Sequence, residues 1–178
     1  MTMNKNVEYT AIDNLEVSAM LKRADAFLPY RPSFCLQELK GLKELNLLKE
    51  PKDKASSYLI ETKAYINIDE FDQALQSLKK GLKINEDDDV LNFELKMHKA
   101  YILGLKKKKR IEKSNEELLV LGLEFRELEE TELAAKSDLY YAKLLVVNGE
   151  YKQALSTLKR IYWAVSYTHL TLPTICSV

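Results

Sequence analysis

The chain has 178 residues, 46% of them hydrophobic, enough to bury a core of ordinary size, which excludes a wholly disordered protein. Lys plus Arg and Asp plus Glu balance at 27 each, which excludes a global field able to hold a polyanion or an acidic membrane surface. Five glycines and four prolines, against abundant Leu, Lys, Glu and Ala, are the composition of helices, so the expected class is all-α.

Lys5, Glu8, Asp13 and Glu16 interrupt the first stretch, leaving no apolar run for a signal peptide. No later run approaches the roughly 18 apolar residues of a membrane span. Cys35 and Cys176 are too few for a disulfide framework. A cytoplasmic location and no membrane contact are the expectations.

Periodicity and punctuation place helices at 11–27, 33–49, 54–67, 70–84, 88–105, 108–129, 131–147 and 150–164, four antiparallel pairs. Pro29 and Pro32 punctuate the first pair, and Pro51 separates it from the second. Leu36, Leu39, Leu42, Leu45 and Leu48 give the second helix an apolar face that drifts around its axis, widened by Leu47. Asp87, Asp88 and Asp89 lack the alternation, glycine and distant glutamate of a calcium loop, so they are read as a turn that caps the helix after it. Asn148 and Gly149 read as a left-handed turn between the last two helices.

Two stretches repeat. Residues 64–82, AYINIDEFDQALQSLKKGL, and 144–162, LLVVNGEYKQALSTLKRIY, superimpose with Phe71 on Tyr151, Ala74 on Ala154 and Leu78 on Leu158. Ala74 and Ala154 are expected where two helices cross, because a methyl group permits close approach. This pattern resembles the tetratricopeptide repeat, a unit of about 34 residues made of two helices. In 55–88 the matching positions are Tyr58, Thr62, Tyr65, Ala74, Leu78 and Gly81, with Glu86 where the family favours proline. In 131–164 they are Asp138, Ala142, Leu145, Tyr151, Ala154, Leu158 and Ile161. The middle unit, 89–130, fits poorly: Tyr101 matches, but Gly104 and the lysines after it break the pattern. Tyr141 falls on an internal position and its neighbour Tyr140 on an outer one.

The resemblance implies an α-solenoid, a right-handed superhelix of about four helix pairs, with 1–53 as a divergent first pair and 54–164 as the repeats. It also implies a concave face built by the first helix of each pair, where a peptide or partner helix would lie. By position, that face takes Leu59, Lys63 and Ile66 from the second pair and Lys136, Leu139, Lys143 and Val146 from the fourth. Lys63 and Lys143 are equivalent positions, suited to an acidic-hydrophobic segment. The Asn, Lys and Arg set of the family's chaperone-tail clamp is not present.

Lys106, Lys107, Lys108, Lys109 and Arg110 form a basic patch. With zero net charge and no aromatic interleaved to stack bases, it reads as a solvated turn. An anionic partner is the alternative, although nucleic acid is not the expected one. A DNA-binding unit in residues 11–49 is a weak reading, since its second helix is leucine-rich and has no basic N-terminal cluster beyond Arg31.

Catalytic groups are scarce. His98 and Cys35 lie far apart in the chain, and no zinc spacing, phosphate loop or nucleophile elbow is present, so no enzyme activity, metal or cofactor is expected. After residue 164 the composition shifts: VSYTHLTLPTICSV (165–178) has no charged side chain. Its first ten residues resemble an in-frame translation of a transposon-type sequencing adapter, so the tail, with His169, Pro173 and Cys176, is expected to be non-native and the repeats to be truncated there. The expected function is a protein-binding scaffold; the alternative is a regulatory or sensor region of a larger transcription regulator or enzyme.

Overall fold

The computed structural model describes the backbone of residues 5–85 and 88–170 and the side chains of 16–85 and 88–163. The described residues form eight α-helices and one 3₁₀ turn, with no strand among them. They are α1 (Lys5–Phe27), α2 (Pro32–Glu44), α3 (Pro51–Asn67), α4 (Phe71–Ile84), α5 (Asp89–Lys106), α6 (Ile111–Glu127), α7 (Thr131–Asn148) and α8 (Tyr151–Leu170). The fold is all-α, and α1 with α2, α2 with α3, α3 with α4, α6 with α7 and α7 with α8 are sequence neighbours that pack on one another.

Two compact units divide the chain, Met1–His98 and Lys99–Val178, with the boundary inside α5. In the first unit, α1, α2 and α3 pack together around a cluster that includes Val17, Leu21, Leu28, Cys35, Leu39 and Ile60, and α4 folds back on α3. In the second, α7 packs against both α6 and α8. Its buried side chains include Ile111, Leu118, Phe125, Leu144 and Leu145.

One turn recurs four times. Asn46, Asp69 and Glu129 (φ 52°, 60° and 60°) and Gly149 (φ 85°) are left-handed, and each ends a helix. At each, the left-handed residue's N–H donates to the carbonyl three back, and the next N–H donates to the carbonyl five back. Asp69 N to Ile66 O is 3.2 Å and Glu70 N to Tyr65 O is 2.9 Å; Glu129 N to Arg126 O is 3.1 Å and Glu130 N to Phe125 O is 2.8 Å. The same pairs form at Asn46 and Leu47 and at Gly149 and Glu150. This is the Schellman geometry, which satisfies the last carbonyls of a helix. The expected left-handed turn at Gly149 is present. The other three carry side chains: Asn46 and Asp69 are of the types that tolerate this conformation, whereas Glu129 is not.

After three of these turns the next helix opens with one spacing: Glu70, Ala74 and Ser77; Glu130, Ala134 and Ser137; Glu150, Ala154 and Thr157. The alanines are 0%, 3% and 2% exposed, so each is buried, which is compatible with the close approach expected at Ala74 and Ala154. Ser137 Oγ donates to Leu118 O at 2.7 Å and Ser77 Oγ to Glu61 Oε2 at 3.2 Å.

Several expectations need correction. The second helix ends at Glu44, not 49, because Asn46 reverses the chain; Leu45 is then 71% exposed, while Leu47 and Leu48 return to the core. Pro51 is the first residue of α3, where its missing N–H costs nothing, rather than a separator outside it. Tyr140 is not outward: it is buried and stacks on Tyr101, ring centroids 4.0 Å apart and planes 8° from parallel. Gly104 is a close-packing position. A Cβ there would lie 2.6 Å from Leu144 Cδ1 and 3.1 Å from Ser114 Cβ. Helix α8 continues past 164 to Leu170, while Glu86, Asp87, Pro173 and Cys176 lie outside the described residues, as do the side chains of Ala164 and His169.

Asp88 caps α5. Its Oδ1 accepts from Leu91 N at 3.0 Å, and Lys52 Nζ lies 3.0 Å from its other oxygen. The backbone hydrogen bond from Leu91, then Lys52, hold the Asp88 carboxyl below its ordinary value.

Candidate functional site

The first helices of the pairs divide the expected face into two different environments. In the first unit, α1 and α3 border a cavity of about 260 Å³ lined by Leu21, Lys22, Asp25, Leu59, Ile60 and Lys63 among others. Leu59 is buried there, and Ile66, further along α3, is half-buried. Lys63 is not a free lysine: its Nζ lies 3.3 Å from Asp25 Oδ1 on α1 and 3.0 Å from Glu94 Oε1 on α5. Burial lowers the Lys63 pKa, but the Glu94 and Asp25 carboxylates outweigh that effect and hold it above its ordinary value. Lys63 is therefore a charged tie between three helices.

In the second unit, Lys136, Leu139, Lys143 and Val146 follow one another along α7 at spacings of three and four, which puts them on one face. Lys136 is half-buried; Leu139 and Val146 are exposed at 37% and 46%. Lys143 Nζ stands 5.9 Å from the Tyr101 ring centroid and 5.8 Å from that of Tyr140, within cation–π range of a stacked aromatic pair. An exposed cation over two rings, between two exposed aliphatics, can take a carboxylate and the apolar side chains around it. Lys63 and Lys143, which align in the two similar stretches of sequence, therefore stand in different environments.

Beneath this face, Tyr141 Oη accepts from Gln153 Nε2 on α8 at 2.6 Å. Asp138, buried, receives Arg126 from α6 at 2.5 Å and Arg160 from α8 at 3.4 Å. These contacts lock α7 between its neighbours and fix the direction of its outer face.

The basic run lies at the α5–α6 junction. Lys106 ends α5, Lys107 is extended and 108–110 make the 3₁₀ turn. The four lysines are exposed; Arg110 is half-buried, 4.0 Å from Glu117. The run therefore lies at an exposed turn.

Neither candidate for nucleophilic chemistry has the surroundings for it. The Cys35 thiol donates to Ala24 O at 2.9 Å, and burial pushes its pKa up, so it stays protonated and a poor nucleophile. His98 is fully buried in α5, its Nε2 3.7 Å from Glu94 Oε1. Among the described residues no group of three or more His, Cys, Asp and Glu could hold a metal ion, and no helix is long and apolar enough to cross a membrane.

Sequence reasoning missed Tyr101 and Tyr140 as a joint platform and Asp25 and Glu94 as the partners of Lys63. No local signal carries either, because the pairs join residues 31 to 39 positions apart (94 − 63, 63 − 25 and 140 − 101) on separate helices. The chain matches no protein-family model, no curated protein and no solved structure.

Proposed function

We propose that this protein is a non-catalytic, tetratricopeptide-like adaptor of the cytoplasm that binds an acidic-hydrophobic peptide or helix. The observation that carries this reading is the outer face of α7, where Lys143 stands over the Tyr101 and Tyr140 rings between exposed Leu139 and Val146. Apolar anchors at i and i+7 with a cation between them suit a ligand with alternating aliphatic and acidic side chains. The recurring Glu-x-x-x-Ala-x-x-Ser/Thr helix starts support the repeat reading.

The test is a selection of acidic-amphipathic peptides on the full chain, followed by anisotropy titration of those selected. Leu139→Glu and Lys143→Glu are expected to weaken binding about tenfold or more each, with unchanged circular dichroism. Peptides that bind both variants as tightly as the parent would remove the α7 face from the proposal.

A second reading, an anionic partner held by the basic run, rests on four consecutive exposed lysines at one turn. Binding to a phosphate polyanion that falls steeply with salt, and disappears when Lys107, Lys108 and Lys109 become Ser, would favour it.

A further inference from the structure

Among the described residues of the second unit, two helices carry exposed apolar stripes. On α8, Tyr151, Leu155, Leu158 and Tyr162 recur at i, i+4, i+7 and i+11, along one face. Their exposures are 67%, 54%, 39% and 66%. Exposed Lys152 and Lys159, seven apart, run along one edge of this stripe. On α6, Leu119, Val120 and Leu123 are exposed at 39%, 55% and 59%. Glu116 and Glu127 extend the row of Val120 and Leu123 toward both ends of that helix, with half-buried Glu124 beside it. Lys113 and Arg126, the latter paired with Asp138, also lie on this face, and with exposed Glu112 the rim is mixed with an acidic excess.

Exposed apolar surface rimmed by charge is the usual form of an interaction site. Here the two rims have opposite sign. Both stripes are exposed in the same chain, so neither covers the other. A symmetric antiparallel pairing of α8 with α8 would bring the Lys152 and Lys159 edges of two copies together, and the same pairing of α6 with α6 would oppose glutamates. Pairing α8 with α6 of another copy sets unlike charges around a shared apolar centre.

We propose that the protein self-associates head to tail, the α8 stripe of one copy seating on the α6 stripe of the next. Leu155 and Leu158 bury against Val120 and Leu123, and Lys152 and Lys159 face Glu116, Glu124 and Glu127. Each copy keeps one stripe of each kind open, so the contact propagates to a ring or a chain of copies. This interface uses a different face from the ligand site proposed on α7, and it does not depend on that reading.

The test is sedimentation velocity of the full chain across a concentration series at low and high salt. The parent is expected to associate with rising concentration, less strongly at high salt. Reversal of the α6 rim (Glu116→Lys with Glu127→Lys) and of the α8 rim (Lys152→Glu with Lys159→Glu) should each weaken association about tenfold or more. An equimolar mixture of the two reversed variants should associate again, because each supplies the rim the other needs. Leu155→Ser, which removes an apolar contact at an exposed position, should weaken association at both salt concentrations. A parent that stays monomeric throughout, or a mixture that associates no better than its components, overturns the proposal. Circular dichroism of each variant establishes that an exposed-site change has left the helices intact.

Discussion

Lys63 and Glu94, on helices α3 and α5, face each other at 3.0 Å with little solvent around either, 17% and 11% of their side chains being exposed. Such a pair costs much to desolvate and more to break, because the survivor is left as a buried charge. Lys63→Met is therefore expected to destabilise the first unit by about 3 kcal/mol. Lys143→Met, at the position that aligns with it but on an exposed face, should change stability by no more than about 0.5 kcal/mol. Urea denaturation of both variants checks the contrast.

Asp88 should give the first unit a pH-dependent component of stability. Its folded pKa lies below the ordinary 3.8, so its contribution is present above that value and is lost as pH falls through the depressed one. Asp88→Ala is expected to cost about 1 kcal/mol near neutrality as a lost helix cap. The gap between variant and parent should close below pH 3.8, which thermal melts across an acid series would follow.

Glycine substitutions should split by environment. Gly41, in α2, has nothing within 4 Å of an added Cβ, so Gly41→Ala should stabilise by about 0.5–1 kcal/mol through helix propensity. Gly104→Ala would drive its methyl group against the fully buried Leu144, and should destabilise by about 1–3 kcal/mol despite the same gain in propensity. Paired chemical denaturation curves decide the signs.

The left-handed turns offer a fourth test. Glu129 adopts φ 60° with a full side chain, a conformation that costs about 1–2 kcal/mol, whereas glycine adopts it without strain but loses more freedom on folding. Glu129→Gly should be net stabilising by about 0.5 kcal/mol, and Gly149→Ala, at φ 85°, destabilising by about 1 kcal/mol. Melting temperatures measured under one condition are sufficient to rank them.

Asp138→Ala removes the carboxylate shared by Arg126 and Arg160. Both guanidinium groups reach solvent, with 43% and 60% of their side chains exposed, so they can rehydrate. The expected loss is that of charged hydrogen bonds, about 1.5–3 kcal/mol, rather than that of a stranded buried charge. Arg160→Ala, which leaves Arg126 in place, should cost about 0.5 kcal/mol or less.

The sequence by itself determined where the helices lie and which turn takes glycine. Apolar periodicity and helix punctuation are local properties, and the backbone obeys them within three residues except at three ends: α1 begins at Lys5 rather than 11, Asn46 ends α2 at Glu44 rather than 49, and α8 runs to Leu170 rather than 164. Ala74 and Ala154 were legible as close-contact positions because small size is written in the residue itself. What only the tertiary structure decided is which charges are paired inside the protein and which stay exposed. Lys63 and Lys143 look alike in the chain, but α1 and α5 bring Asp25 and Glu94 to the first, while α5 brings an aromatic ring beside the second. The same holds for Gly104, which interrupts a pattern in the sequence and becomes the point where Leu144 packs against α5. Helix formation depends on neighbours three and four residues away; the use of a side chain depends on what another helix places opposite it, and no spacing along the chain records that.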